Sequence, residues 1–136
     1  MASKVIALRG EPIIDEQHTA SEAITPGHLI ELNAGQWRKH AGSGAAAAAV
    51  FAMERDEIGN GIDVAYAAGD HVKAGYFAKG DRVNALIPSG QDVDDGAEIE
   101  SDGAGRLKAG TTKPVARAAA DSGAVTADTR LPVIIV

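Results

Sequence analysis

Four histidines, at positions 18, 28, 40 and 71, and an acidic run from Asp92 to Glu100 are the places where this chain could bind a cation or move a proton. Imidazole metal sites ordinarily pair a histidine with a second one, or with a carboxylate, at a spacing such as His-x-x-x-His. None of the four has such a companion, and the adjacent Asp70 and His71 would point to opposite faces of a strand. Asp92, Asp94 and Asp95 with Glu98 and Glu100 offer oxygen ligands, but a calcium loop wants acids at its first, third and fifth places, and the order breaks after Asp94. A solvated acidic loop is the expected reading. Gly42-Ser43-Gly44 is too short for a nucleophile elbow or a phosphate loop, and the chain has no cysteine to act as nucleophile, staple or thiolate ligand. No catalytic group, metal or cofactor is expected, and the chain reads as something other than an enzyme.

The elements that would hold such groups come from one domain's worth of chain. The 136 residues fit a single core, and 27 of them are Ala and 16 Gly, so large side chains are scarce. Alanine buries little apolar area and glycine raises the entropy cost of ordering the backbone, which makes association an expected source of stability. A net charge of −6 repels phosphate backbones and anionic headgroups, so neither nucleic acid nor membrane is expected as a partner. The basic cluster Arg38-Lys39-His40 beside Trp37 reads as a solvated strand end. The apolar stretch before Arg9 is too short for a signal-peptide core, which implies synthesis in the cytosol.

Residues 1–23 alternate short apolar pieces with charges and no sustained period, and read as an extended arm, either a disordered leader or, favoured because its aliphatics would otherwise be exposed, a segment that orders against a neighbouring subunit. Residues 24–136 read as a single β domain. Thr25-Pro26-Gly27 is a turn signature, followed by a hairpin of His28–Leu32 and Gln36–His40 about Asn33-Ala34-Gly35. The alanine run into Val50-Phe51-Ala52-Met53-Glu54 suits a helix by propensity, or a strand with Val50 and Ala52 on one face and Phe51 and Met53 on the other. A helical turn is expected through Ile62–Tyr66.

Gly69-Asp70-His71-Val72-Lys73-Ala74 is echoed by Gly80-Asp81-Arg82-Val83-Asn84-Ala85, each a Gly-Asp turn feeding a strand. Val93 and Ile99 each follow a glycine by three residues, so both can drop into one core. Asp102-Gly103 marks a hairpin tip, Pro114–Ala118 a strand, and Arg130–Val136 an aliphatic strand buried on both faces or covered by a partner.

The order of Thr19–Glu31, Val50–Arg55, Gly61–Asp70, Gly80–Ile87, Gly90–Lys108 and Arg130–Val136 resembles the head decoration, or capsid cement, proteins of tailed bacteriophages. The resemblance implies a mainly β fold, a compact β-barrel or β-sandwich, and tips the segment at Val50 towards strand. It also implies a virion protein on the outer capsid surface that binds the major capsid protein as a homo-oligomer, a trimer or else a dimer. Contacts across a capsid seam could use the arm aliphatics Val5, Ile6, Leu8, Ile13 and Ile14 together with Trp37. A rival reading is a biotinyl- or lipoyl-like carrier barrel, suggested by Gly90-x-x-Val93-x-x-Gly96-x-x-Ile99. Those domains carry a modifiable lysine at an exposed tip, whereas this tip reads Asp102-Gly103-Ala104-Gly105, with Lys108 beyond it.

Overall fold

The structure, a computed structural model, describes residues 4–136. In chain order the strands are β1 (Ala7–Arg9), β2 (Ile13–Asp15), β3 (Ile30–Asn33), β4 (Gln36–Lys39), β5 (Val50–Ala52), β6 (Ala74–Tyr76) and β7 (Arg82–Ile87). They continue as β8 (Asp92–Val93), β9 (Glu98–Ser101), β10 (Leu107–Ala109), β11 (Ala116–Ala118), β12 (Gly123–Ala124) and β13 (Thr129–Ile135). A single 3-10 turn, Asp56–Ile58, is the only helical element among the described residues. The fold is mainly β, as expected, with every strand pair antiparallel.

The strands form four sheets rather than a closed barrel. The largest has the order β1-β7-β13-β11-β9-β10, the second β2-β6-β5, and β3-β4 and β8-β12 form two-stranded ribbons. Alternation builds the main core from the largest sheet: Val83, Ala85 and Ile87 of β7 meet Leu131, Val133 and Ile135 of β13, with Ile99, Leu107, Ala116 and Val93 beside them. Val93 and Ile99 thus share one core, as their spacing from glycine predicts. A smaller core gathers Ile24, Ile30, Trp37, Val50, Tyr66 and Val72. β5 joins the two, because Phe51 and Met53 enter the first while Val50 and Ala52 enter the second. Only Val50–Ala52 of this region are strand, and the alanines before them form neither helix nor sheet.

Residues 4–23 are not an extended arm. Ile6 is fully buried, its N–H donates to the buried Glu54 carboxylate at 2.8 Å, and β1 closes one edge of the largest sheet against β7. β2 pairs with β6, and bridges at Thr19–His71 and Ala20–Trp37 fasten the chain beyond β2. The sequence shows no sustained period here because each strand is three residues long and β1 carries a register shift. Residues 1–3 of the expected arm lie outside the described residues.

Turns set the registers. The β3–β4 hairpin closes through Ala34 and Gly35, both in the left-handed region, which is the two-residue turn whose twist matches paired strands. The Gly-Asp echo is two copies of one device: Asp70 and Asp81 donate their N–H groups to the carbonyls of Ala67 and Ala78. Their carboxylates accept the N–H of the same two alanines, each at 2.9 Å. His28 repeats it, bonding the Thr25 carbonyl through its N–H and accepting the Thr25 N–H on its ring nitrogen. The expected helical turn at Ile62–Tyr66 is a single hydrogen-bonded turn, Gly61–Val64.

Candidate functional site

β2, β6 and β5 set Ile13, Tyr76 and Val50 side by side in one transverse row. Residues directly opposite on antiparallel strands project from the same face, so Ile13 and Tyr76 share a surface. Ile13 is 76% exposed, and Ile14, which points the other way, is exposed as well. β2 is an outer strand of its sheet, so apolar side chains flank a backbone edge with unused hydrogen-bonding groups.

Tyr76 meets Trp37 edge to face, with ring centroids 6.2 Å apart, and the hairpin register sets Leu32 opposite Trp37. Between them opens a cleft of about 190 Å³ lined by Ile30, Leu32, Trp37, Ala47, Val50 and Tyr76. Its floor is Trp37, which is 1% exposed and also meets the His18 ring edge to face. Burial, and then the Asp15 carboxylate, push the Tyr76 hydroxyl above its ordinary pKa, so the phenol is neutral at physiological pH.

The polar end of the cleft holds Glu31 and His40. His40 Nε2 faces the Ala46 carbonyl at 3.2 Å, and its Nδ1 lies 2.7 Å from Ser101 Oγ. A carbonyl only accepts, so Nε2 carries a proton towards Ala46. Glu31 lies 3.7 Å from the same ring, while its carboxylate accepts from Arg38 and from the Ala41 N–H. Serine, histidine and glutamate are therefore in line, yet Ser101 is 1% exposed and also accepts the Gly103 N–H. The serine is enclosed, and the trio works as a polar strut tying β4 to β9. Among the described residues, no group of three or more histidines and carboxylates is arranged to hold a metal ion.

The six residues picked from the sequence divide. Ile13 lies on the patch rim, Ile14 on the reverse face of β2, and Trp37 in the floor of the cleft. Val5 is exposed, Leu8 half-buried and Ile6 inside the main core, all with the largest sheet. Ile6 is enclosed in the main core, whereas Trp37, itself buried, presents only its cleft-facing surface. Sequence reasoning missed Leu32 and Tyr76. Leu32 was recoverable as the cross-strand neighbour of Trp37 in the hairpin, whereas Tyr76 depends on a pairing between distant strands. Lys108, the lysine nearest the β9–β10 tip, donates to Ser43 Oγ at 2.8 Å. No known protein family matches the sequence, and no curated protein is significantly similar to it.

Proposed function

We propose that the chain is a structural protein that decorates the outside of a tailed-phage head and cements neighbouring copies of the major capsid protein. The observation that carries this reading is the apolar surface of Ile13, Tyr76 and Leu32 around the cleft, beside the free edge of β2. An outer strand with exposed aliphatics invites an extended segment of another protein to add to the sheet, and the cleft can seat one apolar side chain of that segment. The decoration-protein patterning of the sequence supplies the identity of the partner. Two or three copies tied together across a capsid seam gain by effective concentration what each small patch lacks. The role is binding rather than catalysis.

The test is co-sedimentation with expanded heads purified without the protein. The wild-type chain binds in fixed stoichiometry and raises the heat resistance of the heads. Each buried aliphatic is worth about 1.5–3 kcal/mol, so the double variant I13D/L32D loses at least about tenfold in affinity while its own melting temperature holds. A wild-type chain without affinity for heads, or binding indifferent to that double change, defeats the proposal.

A further inference from the structure

The chain has seven arginines, and Arg38, Arg55, Arg106 and Arg130 all lie in ion pairs. The remaining three, Arg9, Arg82 and Arg117, have no ion-pair partner among the described residues, and all three fall in one row across the largest sheet. Arg9 pairs with Arg82, Arg82 with Ile134, Ile134 with Arg117, and Arg117 with Glu98. Val83 and Val133, next to Arg82 and Ile134, point into the core, so this row projects from the opposite face. It lies at the end of that face that stays open, since Asn84, Leu86 and Glu100 farther along are buried. Strands lie about 4.8 Å apart, which gives a basic strip roughly 14 Å long centred on a half-buried isoleucine.

Like charges directly opposite on neighbouring strands repel, so the Arg9–Arg82 pairing costs stability, and neither arginine has an ion-pair partner among the described residues to offset it. At its β9 end the strip meets the opposite charge. Glu98 adjoins Arg117, the Asp94-Asp95 turn leads into β9, and Asp121 follows β11 and accepts the Asp95 N–H at 2.7 Å. None of Asp92, Asp94, Asp95, Glu98 and Asp121 has a cation within ion-pair distance among the described residues. A molecule of net charge −6 thus carries its unpaired arginines in one strip, with an unpaired acidic ribbon beside it.

We infer that the open end of this face of the six-stranded sheet docks against a second copy of this chain about a two-fold axis, the arginine strip of each copy lying on the acidic ribbon of the other. Charge complementarity identifies the occupant, since both halves of the contact are present on one chain and a reciprocal, two-fold arrangement of two copies meets both patches at once. Ile134 supplies the apolar centre and the arginines a charge-matched rim. This contact is independent of the capsid role, since it uses a different face of the molecule and needs no other protein.

Sedimentation velocity on the purified chain is the test. The wild type is expected to dimerise at low ionic strength, with its dissociation constant rising about tenfold or more as salt shortens the Debye length to a few ångströms. R82E/R117E and D94K/D95K/D121K are each expected to be monomeric with unchanged melting temperatures, and an equimolar mixture of the two to form a heterodimer. A wild type that stays monomeric at high concentration and low salt overturns the inference, as does a mixture that remains monomeric. Retention of single-stranded DNA by the wild type at physiological salt, lost in R82E/R117E, would assign the strip to phosphates and overturn it as well.

Discussion

His28 fills the place that an aspartate takes twice elsewhere in this chain. Asp70 and Asp81 close their turns with a carboxylate, while His28 closes its own with a neutral ring nitrogen that accepts the Thr25 N–H at 2.9 Å. Burial, and then the charge of Lys39, hold its pKa down at about 4 from the ordinary 6.5. Above the higher value neither folded nor unfolded chain binds the proton, and the full contribution of the neutral ring is present. As pH falls from 6.5 towards 4 the unfolded chain is protonated first, so stability drops through that window. The loss approaches roughly 3 kcal/mol. Denaturant titrations at several pH values should show it, and H28N, which keeps a short acceptor at the turn, should flatten the slope over that range. A slope unchanged in H28N would assign the pH dependence to other groups. The turn itself was legible in Thr25-Pro26-Gly27, but its closing atom was not, because nothing in the sequence distinguishes a capping histidine from a solvated one.

At the scale of elements, the strands that sequence reasoning found carry their own turn signals. Asn33-Ala34-Gly35, the two Gly-Asp pairs and Asp102-Gly103 all mark places where the chain does reverse or feed a strand. The reversal at Asp102 is held by its carboxylate, which accepts the N–H groups of Ala104 and Arg106. β1 and β2 are three residues each and, although Gly10 and Pro12 separate them, take their stability from partners about sixty or more positions away, so their pairing was invisible locally. The same distance alters the outcome of a truncation. Removing residues 2–20 deletes Ile6 from the main core, strands the Glu54 carboxylate without its donor, and bares the edges of β6 and β7. Losing a fully buried isoleucine costs about 1.5–3 kcal/mol, and the unsatisfied buried carboxylate at least about 1–3 more. The truncated chain should lose its cooperative melting transition, as read by circular dichroism. A truncated chain that melts like the full one would restore the arm.

For the whole molecule, strand and turn patterning foretold a β protein and composition one short of bulky side chains, and the structure resolves how that shortage is met. Two modest cores share β5, so one short strand with a large residue at every other position serves both. The candidate surface was only half legible, since aliphatics read as contact residues divide between rim and interior, and that division is decided by pairings between distant strands. β13 holds the plainest example of such pairing, for it lies between β7 and β11, hydrogen-bonded to both, although β7 and β11 precede it in the chain. Its arrival joins the β11-β9-β10 half of the sheet to the β1-β7 half. The sheet can grow locally from the β9–β10 hairpin to β11, but its two halves pair only across β13, and that remote pairing sets the pace. Refolding from denaturant should take roughly milliseconds to seconds, as is usual for topologies rich in remote pairings. Stopped-flow fluorescence of Trp37 would time it, and a microsecond phase accounting for the whole signal would contradict it.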